Sequence, residues 1–551
     1  MFWPNGLRAI PGALLLLAAL ATLAVRPAAA AVIAVPADQP TIAAGLAAAA
    51  AGDTVDVACG TWHEHDLVIT RAVTLRGQAS SPTCVRIDAD GLGRVLDVAA
   101  APGDTVTLAD LTFTGGAVAG GFLESLGGGV RAMDTALRAV RCIFESNTAV
   151  IGGGLGVSAS WLEATDCTFA ANAAADPTWA GGGGAWCRDS RGSITDAIFT
   201  LNTAFSQNPA DPGDGGGLFM NNSDLAVVRG FFNLNATGGG AGALYSVDTD
   251  SARVIACRFE MNTAQWGGAL FIENAAATLD SCTVQNNTAT VSGGALAVGR
   301  GAKPVIRTTR FQDNVAQAQN GGAVQSDGSR PSFTACTFLD NSAPKWGGAV
   351  NINGLGSTYT DCVFAGNTAG QQGGAVRQYS STAAFTGCTL VGNGAPVGGA
   401  LSSQSLTSAT LARTIIAFGT QGEAVTAALF VPVTATCTDI HGNPGGDWTG
   451  TLAAQLGTSG NIALDPQFTD AAAGDYTLLW TSPCAPASSG ACGLIGALGV
   501  VNDLSDVPDA APAAALTLRP NYPNPFNPST TLRFALAVPG RVQVRVFDAA
   551  G

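Results

Sequence analysis

Apolar and polar residues alternate along most of the chain in short runs of four to six residues, as in VIACRFE at residues 254–260. An alternation with a period of two residues predicts β-strands that bury one face. The main helical pattern is a short amphipathic stretch from Thr41 to Ala51, which would cap one end of the molecule. The fold is therefore expected to be all-β.

The strands belong to a repeat with two marks. An Asn stands three residues after a Phe, Val or Leu in ten copies, and a Gly-Gly pair follows further along in most of them. Successive Asn residues are 25, 30, 33, 27, 25, 27, 27, 26 and 26 positions apart. The Asn series is Asn147, Asn172, Asn202, Asn235, Asn262, Asn287, Asn314, Asn341, Asn367 and Asn393.

A period near 26 residues, with about three short strands in each, predicts a right-handed parallel β-helix in which every repeat forms one coil. Leucine-rich repeats would need their own Leu spacing, and ankyrin or helical-pair repeats would need helices. Ten or more regular coils, stacked about 4.8 Å apart, would extend roughly 50 Å, with additional coils at the ends.

Each repeated residue has an expected structural role. Phe259 and Cys257 should both face the core, with Phe232 in the coil below and Val284 in the coil above. The Asn should close a sharp turn, because Asn tolerates left-handed backbone geometry and its amide can bond the amide stacked on it. The Gly pair should form a second corner, where positive φ or close backbone approach excludes a Cβ.

Seven of the 13 cysteines occupy one slot of the repeat, two residues before its Phe, Val or Leu: Cys142, Cys167, Cys257, Cys282, Cys336, Cys362 and Cys388. Stacked neighbours lie within disulfide reach, but parallel Cβ vectors fit the required torsion poorly. Buried free thiols are therefore favoured over vertical disulfides. Outside this ladder, Cys59 with Cys84 and Cys484 with Cys492 are the disulfide candidates.

Composition divides the chain into segments. Residues 1–30 combine Arg8, an apolar run and a tail of small residues, which is typical of a secretory signal peptide. Residues 31–110 should form the N-terminal cap and first coils, 111–405 the regular repeats, and 406–500 the last coils and C-terminal cap. An Asp/Pro/Ala-rich linker at 501–518 leads into residues 519–551. No segment of the mature chain is long and apolar enough to span a membrane.

Several stretches resemble known families. Residues 32–98, which include VPADQPTIAAGLAAAAAGDTVDVACGTWHEHDLVITRAVTLRG, are similar to the opening coils of secreted pectate-lyase-like β-helix proteins. Gly60 to Glu64 resembles the GxYxE stretch of pectin methylesterases, with Trp62 in place of Tyr. Because that family's later catalytic segments have no counterpart, this stretch is interpreted as coil structure. Residues 459–484 resemble a closing segment of bacterial secreted β-helix proteins.

Two further resemblances bear on location and role. The FxxN and GGA[LIV] repeats at about 111–405 resemble the passenger region of chlamydial polymorphic outer membrane proteins, which are surface-displayed and associated with adhesion; no autotransporter barrel follows here. NYPNPFNPST at 521–530, followed by two predicted strands, resembles the start of the immunoglobulin-like C-terminal sorting domain of type IX secretion. The chain is expected to end partway through that small β-sandwich.

The charged residues exclude some function classes. A net charge of −14 without a Lys/Arg-rich run argues against binding nucleic acid or anionic lipid. Three histidines, His63, His65 and His441, are too few and too scattered for a zinc site. Neither the acidic calcium cluster of pectate lyases nor the stacked Asp residues of polygalacturonase-like hydrolases is visible. No catalytic residue and no cofactor is assigned.

The two longest spacings, 30 and 33, are consecutive, and both insertions lie between the Asn and the Gly pair. Residues 173–181 and 203–215 should emerge side by side, on an edge where solenoids commonly bind ligands. The candidate binding residues on them are Asp176, Trp179, Phe205, Asp211 and Asp214. The aromatic faces suit sugar rings, and the carboxylates suit Ca²⁺. The alternative is tolerated length variation, with the Trp packed on the flank.

These observations predict a protein that is secreted or outer-membrane-associated at the cell surface and acts in adhesion or glycan binding without catalysis. Its partners would be a polysaccharide or a surface molecule of a host or neighbouring cell, and the export machinery through the C-terminal domain. Two alternatives stay open. One is a polysaccharide lyase or glycoside hydrolase of the pectate-lyase-like class, and the other is a structural surface-layer protein.

Overall fold

The computed structural model describes residues 30–121, 124–405, 408–428 and 431–501, with the backbone of 517–522 and 531–535. The predicted signal peptide lies almost wholly outside these residues, as do most of the linker and most of the predicted sorting domain. Residues 32–441 wind into a parallel β-helix, so the predicted all-β fold class is confirmed. Each strand pairs in parallel with its equivalents one coil below and one coil above.

A regular coil contributes strands to four sheets, numbered here in the order in which the chain visits them. Sheet 1 comprises Val32–Val35, Thr54–Val57, Thr74–Gly77, Thr105–Ala109, Ala136–Val140, Trp161–Thr165, Arg191–Thr195, Asp224–Val228, Arg253–Ile255, Thr278–Asp280, Val305–Arg307, Ser332–Thr334, Ser357–Thr360, Thr382–Thr386, Ser408–Ala412 and Val433–Thr436. Sheet 2 comprises Gly60–His63, Val85–Asp88, Thr112–Thr114, Ile143–Glu145, Thr168–Ala170, Ile198–Thr200, Phe231–Asn233, Arg258–Glu260, Thr283–Gln285, Arg310–Gln312, Thr337–Leu339, Val363–Ala365, Thr389–Val391, Ile415–Ala417 and Asp439–His441.

The other two sheets complete the coil. Sheet 3 comprises the short strands Thr148–Ala149, Ala173–Asp176, Thr203–Ser206, Ala236–Thr237, Thr263–Trp266, Thr288–Ser292, Val315–Ala316, Ser342–Ala343 and Thr368–Ala369. Sheet 4 comprises Leu67–Ile69, Leu96–Val98, Val130–Met133, Leu155–Ser158, Ala185–Arg188, Leu218–Asn221, Leu244–Val247, Leu270–Glu273, Leu296–Gly299, Val324–Asp327, Val350–Asn353, Val376–Tyr379, Leu401–Gln404 and Val425–Ala427.

The core is a stack of equivalent side chains. Phe259 is fully buried, pairs in register with Phe232 below and Val284 above, and stacks on Phe232 with ring centroids 4.8 Å apart. Cys257 lies two residues earlier and is also buried. The inward assignment of both positions is therefore confirmed. One coil alone could not bury such a Phe, so the stack is the unit of stability.

The Asn residues form a continuous buried ladder. Each Nδ2 donates to Oδ1 of the next Asn at 2.9–3.0 Å. The predicted left-handed conformation is wrong for the Asn itself: the residue before it takes that conformation, as at Met261 with φ 53°. The Asn side chain points inward and bonds to the Asn residues of the neighbouring coils. The residue with left-handed backbone geometry is therefore the preceding one, whose side chain points outward.

The Gly corner has both predicted properties, one on each Gly. Gly267 adopts φ 61°, which disfavours any residue with a Cβ. At Gly268 an added Cβ would lie 2.2 Å from the carbonyl oxygen of Gly294 in the next coil. The backbones therefore approach too closely here for Ala.

Two disulfides are present in the described residues. Cys59 is joined to Cys84, and Cys437 is joined to Cys492. The predicted pairing of Cys484 with Cys492 is wrong, because the closing cap folds back and places Cys492 against Cys437. Cys484 is a buried free thiol whose Sγ lies 3.2 Å from Oδ2 of Asp439. The seven cysteines of the repeat slot are also free and buried.

Both ends of the stack are covered. The N-terminal helix spans Ile42–Ala48, with Thr41 as its N-cap. The Glu64 carboxylate accepts hydrogen bonds from the amides of Ile42 and Ala43 at 2.8 and 2.9 Å, so the GTWHE stretch contributes to the cap. At the other end lie the 3-10 helices Gly450–Gln455, Ala471–Ala473 and Gly490–Cys492 and the strands Phe468–Asp470, Asp475–Leu479 and Val500–Val501.

Thr517–Tyr522, which begins two residues before the predicted sorting domain, pairs antiparallel with Thr531–Ala535. Both strands were predicted to follow NYPNPFNPST at residues 521–530. In the structure the first strand ends at Tyr522 and so precedes most of that segment. In the described part of the chain, no helix has the length and apolarity needed to cross a membrane.

The buried carboxyl of Asp439 should make the free energy of unfolding depend on pH. It is fully buried beneath the closing cap, and burial raises its pKa to about 6, while Leu464 N–H and the Cys484 thiol donate to the carboxyl. Because the folded-state pKa exceeds that of the unfolded chain, its stabilising contribution is complete below about pH 4 and is lost as pH rises through 6. Asp439→Asn should therefore gain up to about 3 kcal/mol relative to wild type between pH 4 and 7.5.

Denaturant unfolding of both proteins at the two pH values measures this gain. Asp465→Asn, which changes an exposed carboxyl in the same cap, is the matched control. Equal pH responses of the two variants would contradict the assignment to Asp439.

Candidate functional site

Sheet 4 has a face that the regular repeat does not constrain. In each strand the first and third residues enter the core, and the second and fourth point outward beside the segment that precedes the Gly corner. We call the outward side chains and this neighbouring segment the sheet 4 flank. Its principal side chains are Trp179, Asp214, Phe219, Tyr245, Phe271, Glu273, Trp346, Asn353, Gln372, Arg377, Tyr379 and Gln404.

In the lower half of the flank, aromatic rings pack on one another. Phe219 stacks on Tyr245 with centroids 4.9 Å apart, and Phe271 follows 5.0 Å from Tyr245. Trp179 packs edge-on against Phe219 at 5.5 Å. Phe219 and Tyr245 are both buried, so this part of the flank is a small second core.

The two insertions lie side by side, as the spacings indicated. Asp214 N–H donates to the carbonyl of Ala180 at 2.9 Å, and Ala175 pairs in register with Phe205. Phe205 and Asp211 are exposed. The Asp176 carboxylate accepts from the Thr178 side chain and the amides of Thr178 and Trp179, and these bonds lower its pKa. Its carboxylate thus already organises the local turn.

Asp214 connects the insertions to the aromatic stack. Its Oδ1 accepts from Gly240 N–H at 2.6 Å, and its Oδ2 lies 3.4 Å from Nε1 of Trp179. Burial raises the pKa of this carboxyl to about 6. Asp214 is therefore the predicted candidate whose acid–base properties are most altered by the fold.

A second carboxylate lies two coils further on. Glu273 is buried, accepts a hydrogen bond from the Tyr245 hydroxyl, and pairs with Arg300 at 2.5 Å. Both Asp214 and Glu273 thus already have partners. No group of three or more His, Cys, Asp or Glu side chains suited to a metal ion occurs among the described residues.

The upper half of the flank contains an open pocket of about 440 Å³, lined by Trp346, Asn353, Gln372, Arg377, Tyr379 and Gln404. The Arg377 guanidinium carbon lies 4.3 Å from the ring centroid of Trp346 and 4.8 Å from that of Tyr379. We call these six residues the Arg377 pocket. It combines aromatic faces, amide groups and one cation.

Sequence reasoning missed this pocket. Arg377 and Tyr379 share one face of the strand in GGAVRQY, but Trp346 stands before the preceding Gly corner, so its ring meets the cation only when adjacent coils stack. The available signal was a bulky charged residue at the second position of a sheet 4 strand.

One family model supports the fold. Residues 242–412 match a family described as "Right handed beta helix region", which supports the predicted handedness. No curated protein matches the chain. Two solved structures of the catalytic domain of a GH87 alpha-1,3-glucanase in complex with tetrasaccharides resemble it, with TM-scores of 0.35 and 0.29 and identities of 12% and 10%. Both matches cover 65% of this chain and 68% of the glucanase chain. Likeness at this level does not transfer the glucanase's ligand or activity.

Proposed function

We propose that the protein binds an extended polysaccharide along the sheet 4 flank, with the Arg377 pocket as its main contact, and thereby acts in adhesion. The observation that carries this proposal is the pocket's composition. Trp346 and Tyr379 offer aromatic faces to the apolar faces of sugar rings, and Asn353, Gln372 and Gln404 offer amides to sugar hydroxyls. An extended ligand suits a flank that continues along many stacked coils.

The expected result is retention of the purified full-length protein on at least one polysaccharide in a panel of neutral, carboxylated and sulfated glycans. Tyr379→Ala should weaken that binding at least about tenfold, equivalent to about 1.4 kcal/mol, because an exposed aromatic contact is removed without opening the core. Affinity electrophoresis or biolayer interferometry measures the loss.

Trp480→Ala is the matched control, because Trp480 is an exposed aromatic residue in the C-terminal cap, away from the flank. Phe205→Ala tests the insertions separately. A loss with Phe205→Ala and none with Tyr379→Ala would move the binding surface to the insertions. Retention on no glycan would favour a structural surface-layer role.

A glycoside hydrolase or polysaccharide lyase is the second candidate, favoured by the raised pKa of Asp214 beside Tyr245 and Glu273. A carboxyl that titrates near neutral pH suits general acid–base chemistry. New reducing or unsaturated ends in the same glycan panel, absent with Asp214→Asn, would replace the non-catalytic proposal with this one.

The location at the cell surface is also part of the proposal. It is supported by the signal-peptide pattern of residues 1–30 and by the resemblance of NYPNPFNPST to a type IX sorting domain. Export through that machinery would present the β-helix outside the cell, where polysaccharides are accessible.

A further inference from the structure

We propose that the Arg377 pocket is an anion subsite, which takes a carboxylate or sulfate group carried by the polysaccharide ligand. This inference rests on the proposed function and specifies the ligand's chemistry. A neutral glycan needs only the aromatic and amide groups of the pocket, whereas an acidic glycan would also use the guanidinium.

The surroundings of Arg377 lack the partner that a buried cation normally has. Arg377 is 6% exposed, and in the described part of the chain it forms no ion pair with a carboxylate. Its Nη1 reaches Oδ1 of Asn351 only at 3.5 Å, and its buried Nε has no hydrogen-bond partner. Burial lowers the pKa of the guanidinium to about 10, so it remains a cation at neutral pH.

Another buried arginine shows how the fold satisfies such a group when the role is structural. Arg94 is 7% exposed, and its Nε and Nη2 donate to the carbonyls of Glu124, Leu126 and Gly127 at 2.6–3.3 Å. A buried donor without a hydrogen-bond partner destabilises the folded state. Arg377 bears such a cost while lining an open pocket, and an incoming anion would give the guanidinium the charged partner that it lacks.

The carboxylate nearest along the hydrogen-bonded network is already engaged. Asp327 accepts from Nε2 of Gln325 at 2.9 Å and from Nδ2 of Asn353 at 3.3 Å, and Gln325 in turn accepts from Asn351. Arg377 is thus linked to Asp327 only through two amides.

The geometry suits an oxyanion. The Arg377 guanidinium carbon lies over the rings of Trp346 and Tyr379, 4.3 and 4.8 Å from their centroids, and a planar guanidinium can donate two parallel bonds to one carboxylate. The chain as a whole carries −14, which repels anionic polymers at long range. Preference for an acidic glycan would therefore have to arise at a local cation.

Three forms of one polymer test the inference: dextran, carboxymethyl dextran and dextran sulfate, with the polysaccharide panel described above. The full-length protein is compared with Arg377→Gln, with Arg377→Lys, and with Arg307→Gln, which removes the same charge from an exposed position on sheet 1. Binding is measured at about 0.15 M salt, where interactions between exposed charges more than about 8 Å apart are largely screened.

The expected result is at least tenfold tighter binding of an acidic glycan than of its neutral counterpart. Arg377→Gln should abolish that preference, Arg307→Gln should change it less than twofold, and Arg377→Lys should restore part of it. Preference for the carboxymethyl or the sulfate form identifies the anionic group. Because Arg377→Gln could fail to fold, a larger rise in wild-type melting temperature with the acidic polymer than with dextran is a second readout.

Two outcomes overturn the inference, and they are distinguishable. Equal binding of neutral and acidic glycans, or an acidic preference that survives Arg377→Gln, would refute the anion subsite while leaving glycan binding intact. Retention on no polysaccharide in either form would refute the proposed function and the subsite with it.

Discussion

Replacing Asn262 with Ala should lower the free energy of unfolding by about 3–6 kcal/mol. The Asn262 side chain donates to the carbonyl of Phe232 and to Oδ1 of Asn287, both at 3.0 Å. Its own Oδ1 accepts from the backbone and side-chain amides of Asn235, also at 3.0 Å. Ala removes all four bonds and leaves buried partners unsatisfied, at about 1–3 kcal/mol each, reduced where water enters.

Denaturant unfolding monitored by circular dichroism measures this loss. Glu260→Ala is the control in the same turn, because the Glu260 side chain points away from the core and accepts hydrogen bonds from the side chains of Arg258 and Gln285. We expect a change of at most about 1 kcal/mol for it. Equal losses for the two variants would show that the Asn ladder does not hold the turn.

Phe259→Ala should cost about 3–5 kcal/mol, the usual range for truncating a fully buried Phe. The ring is fully buried, stacks on Phe232 at 4.8 Å, and lies under Val284 of the next coil. Neighbouring coils are held by their own hydrogen bonds, so they cannot close around the space that the ring leaves. The cavity therefore persists and adds to the lost burial.

The same unfolding measurement on Phe205→Ala provides the comparison, because that ring is 48% exposed. Its removal should change stability by at most about 0.5 kcal/mol. A loss below about 1 kcal/mol for Phe259→Ala would mean that Phe259 does not support the stack.

The parts of the fold that could be predicted from sequence are those that every coil must repeat. Phe259, Asn262 and Gly268 each meet the same neighbours one coil above and below, so the same residue types recur at a fixed spacing. That recurrence indicates the coil, the core positions and the corner. It did not reveal which residue reverses the backbone, because the left-handed position, Met261, varies in type from coil to coil.

The candidate site was predicted only in part, for a related reason. The insertions were found because they break the spacing, and the structure places Trp179 and Asp214 together beside the aromatic stack. Phe205 and Asp211 remain exposed. The Arg377 pocket breaks no spacing: its residues lie at positions outside the core, where the repeat does not require the same residue type in every coil.

The sequence by itself determined the all-β coil, the inward Phe and Cys positions, the stacking of the Asn amides and the Gly corner, because stacked coils impose identical contacts on equivalent residues. Only the tertiary structure decided that Cys437, not Cys484, pairs with Cys492, and that Trp346 packs against Arg377 of the next coil. Those contacts join residues from a folded cap or from adjacent coils. These contacts depend on how the cap and the coils pack in three dimensions, which no local sequence pattern indicates.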